Sequence, residues 1–401
     1  MKKFASLFLA FALVFCLSAC GEKNTQVGGS SNDNSGGSGS LLTHILAKER
    51  TVDKQVGQER NLANTYDCLV NKKSLKIGYL GGSLTSGFGG ETAGGWRVRT
   101  TNWFKENYPN AEITEINLSI GGTSSNCGLY RLMETLIPQQ PDLVFVEFAM
   151  NDAHIGFNEA ASAAYMEAII RETNKVLPKT DIIVVFTTDV TKAGNDIPTI
   201  VGQRAAAEFY GVPWINVGKA AVEAAEKEGA IFADYLVDTV HLNDRGYTAY
   251  ANEVKRVVGE MLNEAKGKAP KEHIIPSGYV VTNQFDNIKI FHPDDLTFDE
   301  SWGTRKNKNS YLEGEKALYH KSQNAEITFE FEGCALSLLG EFHAGVAYEI
   351  TIDGDYKTVV SAGSKTEYEL SVATNLVDGK HTAKVKCITK TYGGIEGFLI
   401  A

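Results

Sequence analysis

A chain of 401 residues is long enough for two domains, and 43% hydrophobic with 22% charged residues is the composition of ordinary globular protein. Its net charge of −10 comes without a basic stripe or a Lys/Arg cluster on any predicted helix, which argues against nucleic acid as a partner. No Cys-x-x-Cys spacing or His/Cys cluster suggests a structural metal, and no cofactor is implied.

Lys2 and Lys3 precede an apolar run from Phe4 to Leu17 that is too short to span a bilayer and has the shape of a secretory signal. The run ends Leu17-Ser18-Ala19-Cys20, which resembles a bacterial lipobox. Residues 1–20 are therefore read as signal peptide and lipobox, with Cys20 as the lipidated first residue of an exported, surface-anchored chain. The two acyl chains of a diacylglyceryl thioether suffice for stable anchoring where one would be marginal. Residues 21–40 are rich in Gly, Ser and Asn and read as a tether, and 41–73 as a leader with helical stretches.

From Ser74 onward apolar runs alternate with amphipathic segments. Strands are expected at Leu75–Leu80, Ile113–Leu118, Leu143–Phe148, Ile182–Phe186 and Trp214–Val217. Helices are expected at Gly95–Tyr108, Gly128–Ile137, Ala160–Leu177, Thr199–Tyr210 and Asn243–Ala265. Such alternation over 74–265 predicts an α/β domain, a parallel sheet covered on both faces. Residues 266–274 read as a linker. Over 275–401 the period changes to two: Ile327, Phe329 and Phe331 alternate with Thr328, Glu330 and Glu332, and the Asp353-Gly354 turn signal follows Tyr348, Ile350 and Ile352. An antiparallel β-sandwich or jelly roll is expected there. Among Cys68, Cys127, Cys334 and Cys387 the spacing selects no disulfide; Cys334 with Cys387 is the one pair to test, and the alternative is that each is a small buried hydrophobe.

Four peptides carry candidate chemistry. Ser83 follows the first strand in the glycine turn Gly81-Gly82-Ser83-Leu84-Thr85, where glycines would let a carbonyl approach its amide. Gly81, Gly82, Gly87 and Gly89 also suggest a phosphate cradle, but no Gly-Lys-Ser/Thr and no GxGxxG is present. In Asp238-Thr239-Val240-His241 the spacing can set the carboxylate against one imidazole nitrogen and leave the other facing a serine. The competing readings are a turn cap at Asp238, or a metal set of Asp238, His241 and Asp244. Asn151, after the most hydrophobic strand, could turn its amide toward an oxyanion or form an Asx-turn. Asp152 reads as a residue that caps or orients this loop. Gly122, in Asn117-Leu118-Ser119-Ile120-Gly121-Gly122-Thr123, could donate a backbone N–H or be an ordinary turn glycine.

Together these peptides resemble the four blocks of the SGNH (GDSL) hydrolase superfamily over roughly Ser74 to Ala265. The resemblance implies a flavodoxin-like three-layer α/β/α sandwich with five parallel strands and the site at their carboxyl ends. It implies Ser83 as nucleophile, Asp238 and His241 as its partners, and the Ser83 amide, Gly122 and Asn151 as oxyanion hole. Gly-Asp-Ser-Leu is here Gly81-Gly82-Ser83-Leu84, and the usual glycine of the third block is Ala149; neither change removes a functional atom. The absence of GxSxG argues against the α/β-hydrolase fold. Short loops favour a small acyl group. The C-terminal domain resembles jelly-roll modules of exported carbohydrate esterases; Trp302, Tyr311 and Tyr356 are candidate glycan contacts, or else they pack the sandwich. The expectation is a carbohydrate O-acetylesterase acting on O-acylated glycan. The alternatives are a lipase or thioesterase, and a glycan-binding lipoprotein with an inactive hydrolase domain.

Overall fold

A computed structural model describes residues 62–90, 94–306, 316–374 and 376–401. The signal peptide, Cys20, the tether, most of the leader and Tyr311 lie outside the described residues. Among the described residues no helix is long and apolar enough to cross a membrane.

The first domain is built on β1 (Ser74–Gly81), β2 (Glu112–Ser119), β3 (Leu143–Glu147), β4 (Asp181–Phe186) and β5 (Trp214–Asn216), all parallel and ordered β2-β1-β3-β4-β5. This is the expected flavodoxin-like order, in which the reversal beside β1 opens a crevice at the strands' carboxyl ends. Both faces are covered, so β3 and β4 are buried along their whole length. Period-two alternation divides their side chains between two cores. Phe145, Ile183 and Val185 pack with α3 (Trp96–Asn107), α8 (Val217–Lys227) and α9 (Asp244–Ala265). Val144, Val146, Ile182 and Val184 pack with α4 (Ser125–Arg131), α6 (Glu159–Val176) and α7 (Pro198–Phe209). Short helices include α1 (Ala63–Asp67) in the leader and α2 (Ser83–Ser86) directly after β1.

Three local expectations are corrected. The chain leaves β5 at Asn216, not Val217, because the Asn216 side chain accepts from Lys219 N and caps α8, a helix the sequence reading lacked. The helix expected at Gly128–Ile137 starts at Ser125 and then loosens into a π-type turn (Leu132–Leu136) and a 3₁₀ turn that contains Pro138. A six-residue helix, α5 (Ala149–His154), begins two residues after β3, so Asn151 and Asp152 sit in a helical turn, not an open loop.

Beyond α9 the chain runs without regular structure along the first domain. Lys271 N donates to Asn64 Oδ1, His273 Nε2 lies 2.9 Å from Asp181 Oδ1, and Glu167 accepts from Val280 N and Val281 N at 2.6 and 2.9 Å. The second domain is the expected antiparallel sandwich. Its strands are β6 (Lys289–Phe291), β7 (Trp302–Lys306), β8 (Lys316–His320), β9 (Glu326–Gly333), β10 (Leu336–Phe342), β11 (Ala347–Ile352), β12 (Tyr356–Ser361), β13 (Glu367–Ala373), β14 (Gly379–Cys387) and β15 (Gly393–Ile400). One sheet runs β13-β10-β15-β8-β7 with β6 added on β15; the other runs β12-β11-β14-β9. Strict alternation along β9 turns Ile327, Phe329 and Phe331 inward. Trp302 is 1% exposed and belongs to this core, so it is not a glycan contact; Tyr356 is 43% exposed, with its hydroxyl donating to Val372 O. Cys334 and Cys387 are not bridged, nor are Cys68 and Cys127, and Cys387 is buried in the sandwich core.

Candidate active site

The turn that carries Ser83 is set by β1. At its end Gly82 precedes α2, and Ser83 is the first helical residue, with Ser86 N donating to Gly82 O and Gly87 N to Ser83 O. The first amides of a helix have no partner within it and point outward. A Cβ on Gly82 would lie 2.7–2.9 Å from the side-chain amide of Asn151, so that amide is seated against the turn carrying Ser83. The departure from Gly-Asp-Ser-Leu thus has a steric counterpart: Asn151 occupies the space that a side chain at 82 would need.

His241 comes from the loop between α8 and α9, pinched shut by Val237 N donating to His241 O and by the Leu236–Leu242 bridge. Asp238 organises it. Its Oδ1 accepts from Val240 N (2.8 Å) and His241 N (2.7 Å), and its Oδ2 lies 2.7 Å from His241 Nδ1. His241 Nε2 is then 2.9 Å from Ser83 Oγ. A carboxylate accepts only, so it selects the tautomer with hydrogen on Nδ1 and a lone pair on Nε2 facing the serine hydroxyl. What burial Asp238 has pushes its pKa up, but the two backbone donors and the imidazole outweigh it and bring it down to about 2. The competing metal set is not assembled, since Asp244 pairs with Arg99 at 2.9 Å. Among the described residues no group of three or more His, Cys, Asp or Glu is arranged to hold a metal ion.

The loop with Gly121 and Gly122 lies against the same turn. A Cβ on Gly121 would be 3.5 Å from Ser83 Cβ. Gly122 has φ +78°, a backbone conformation that favours glycine. The loop is fixed from behind. Ile120 N donates to Gly81 O, and the buried Arg131 donates through Nη2 to Thr123 Oγ1 (3.0 Å) and Gly81 O (3.3 Å). Asp152, fully buried, joins this loop to α5. It accepts from Ser125 N and Oγ (2.8 Å each), Ser162 Oγ (2.5 Å) and Gln203 Nε2 (2.8 Å). Burial raises its pKa to about 6 against those four donors, and its oxygens are occupied by them, which fits an orienting residue.

Two neighbours were not foreseen. Glu147, the last residue of β3, is fully buried behind the Ser83 turn and accepts from Thr85 Oγ1 (2.8 Å) and Thr187 Oγ1 (2.9 Å). Burial pushes its pKa up to about 7, opposed by the two threonines and the Gly82 amide. The available signal was a lone charge in Leu-Val-Phe-Val-Glu-Phe, otherwise wholly apolar. Phe88, two residues past α2, holds its ring 4.5 Å from the His241 ring. A Cβ on Gly87 or Gly89 would strike Gly95 N or Leu242 O, so those glycines join backbone segments and form no phosphate cradle.

Residues 79–249 match the model of the GDSL-like lipase/acylhydrolase family. This match and the five-stranded parallel α/β fold agree with the resemblance to the SGNH (GDSL) superfamily. Both domains are matched by a two-domain esterase (CEX) active on acetylated mannans, with TM-score 0.69 and 19% identity over 86% of this chain and 96% of that one. The structure of CEX co-crystallised with mannopentaose gives 0.68 and 18% over the same shares. An acetylxylan esterase from Geobacillus stearothermophilus is similar at 18% identity and TM-score 0.40 over 46% of this chain and 94% of its own. A comparison with curated proteins found no match. At these identities the likeness to CEX establishes a shared two-domain fold.

Proposed function

We propose that this chain is an exported serine esterase, anchored through Cys20, that removes acetyl groups from carbohydrate. The observation that carries the reading is the continuous relay from Asp238 through His241 to Ser83, with contacts of 2.7 and 2.9 Å. His241 Nε2 takes the Ser83 proton as Oγ attacks the ester carbonyl. The developing oxyanion is held by the Ser83 and Gly122 amides and the Asn151 side chain. Collapse of the tetrahedral adduct breaks the bond to the alcohol, whose oxygen receives the proton from Nε2. Water, deprotonated by the same imidazole, then releases acetate from the acyl-enzyme. Carbohydrate as the alcohol is supported by the likeness, over both domains, to an esterase active on acetylated mannans.

The test is hydrolysis of p-nitrophenyl acetate, butyrate and octanoate, with fluorophosphonate labelling of Ser83. Acetate is expected to be preferred and Ser83 labelled. Preference for octanoate would move the reading to lipase or thioesterase, and absence of both turnover and labelling to a glycan-binding protein. Gly82→Ala tests the oxyanion assignment. Its methyl would displace the Asn151 amide, and losing that donor is expected to lower kcat on p-nitrophenyl acetate about a hundredfold with KM little changed. Retention of full kcat would remove Asn151 from the oxyanion hole.

A further inference from the structure

Phe88 stands beside the relay and is 60% exposed, an apolar surface that the reaction steps leave without a task. A single exposed phenylalanine is unremarkable in itself. This one is held in place. Phe88 N donates to Ser83 O (3.2 Å), and the Tyr247 hydroxyl donates to Phe88 O (2.7 Å). The next residue, Gly89, is packed so closely that a Cβ there would come within 2.5 Å of Leu242 O and 3.0 Å of Val237 Cγ2. Val237, which precedes Asp238, is itself 54% exposed. Two outward apolar side chains on anchored backbone therefore flank His241.

Their side of Ser83 decides what they would touch. The carbonyl oxygen of a bound ester turns toward Gly122 and Asn151, while the alcohol oxygen must lie within reach of His241 Nε2 to receive its proton. The alcohol half of the ester thus passes over the imidazole and onto the ring packed against it, and the acyl half points away. When the alcohol is a sugar, its C–H face offers an apolar plane of matching size, and aromatic rings gain by packing against such planes.

We propose that Phe88 and Val237 form the subsite for the pyranose ring that bears the acetyl group. The assignment rests on the serine-esterase reading. The test uses the full chain and two acetates that differ only in the alcohol: methyl α-mannopyranoside tetraacetate, which presents a ring, and ethyl acetate, which does not. Phe88→Ala is expected to lower the ratio of kcat/KM on the sugar ester to that on ethyl acetate about tenfold, mainly through KM, and Phe88→Trp to preserve it. An unchanged ratio in Phe88→Ala would overturn the subsite while leaving the esterase intact, because both activities would then be measured. A fall instead in the ratio of p-nitrophenyl octanoate to p-nitrophenyl acetate would also overturn it, by placing the ring on the acyl side. No turnover of any of these esters by the unaltered chain, with Ser83 unlabelled, would overturn the esterase reading and the subsite with it.

Discussion

Asparagine in place of Asp238 is expected to lower kcat on p-nitrophenyl acetate about 10⁴-fold at neutral pH while leaving the fold intact. The direction follows from which oxygen does what. Oδ1 is held by two backbone donors, Val240 N and His241 N, so the asparagine would keep its oxygen there and present its NH₂ to the imidazole. A donor facing Nδ1 forces the hydrogen onto Nε2, where it meets the Ser83 hydroxyl with no lone pair to accept its proton. The loop hydrogen bonds survive the substitution, so the melting temperature should barely move. Ser83→Ala and His241→Ala should each fall further, about 10⁶-fold, and the double variant no further than either, because the residues act as one unit. Independent, additive losses would show that they do not. Acidity gives a second check. With its pKa held down near 2, Asp238 stays ionised from about pH 4 upward, so it contributes no limb to the activity profile there. Its stabilising contribution is present above the ordinary carboxylate pKa and is lost only as pH falls through about 2; as a largely exposed group it contributes little.

What could be read from the sequence depended on how local the physics was. The strand read at Leu143–Phe148, observed as Leu143–Glu147, was legible because a parallel strand buried on both faces is a mostly apolar run. Asp238 and His241 were legible because His241 follows Asp238 at the third position and the loop closes through their own backbone. Asn216 was misread because one residue ends β5 and caps α8, and an apolar neighbour at Val217 extended the apparent strand. Glu147 was passed over because its donors, Thr85 and Thr187, lie 62 and 40 residues away in sequence, and no local pattern announces them. Trp302 was ambiguous for a similar reason: whether an aromatic in a five-residue strand packs inward depends on the facing sheet. Ser83, Gly122 and Asn151 lie too far apart in sequence for spacing to group them, and their grouping came from the superfamily resemblance.

Glutamine in place of Glu147 is expected to flatten the pH dependence of stability and to slow the reaction. The folded chain holds this carboxyl near pKa 7 against an ordinary 4.5, because burial penalises the charged form more than its donors favour it. A raised pKa means that stability is fully present below about pH 4.5 and is lost as pH rises toward and through 7. At 1.36 kcal/mol per unit, the difference from 4.5 to about 7 corresponds to about 3 kcal/mol, borne in full in mildly alkaline solution. Asp152, raised from 3.8 to about 6, adds a loss of the same sign at lower pH. The melting temperature of the unaltered chain should therefore drop between pH 5 and 8, and Glu147→Gln should remove most of the drop above pH 6. A neutral amide carries no desolvated charge, yet it cannot accept from Thr85, Thr187 and the Gly82 amide together. One donor behind the nucleophile turn is left unmatched, and a shift of Ser83 by a fraction of an ångström should cost about tenfold in kcat with KM unaffected. Differential scanning calorimetry across this pH range, paired with kcat on p-nitrophenyl acetate, separates the two effects. A drop of equal size in the variant would mean that Glu147 is not the titrating group, and an unaltered kcat would mean that its carboxylate does not position Ser83. Both expectations come from one placement, a carboxylate set into the apolar end of β3 where its donors hold the turn that presents the serine.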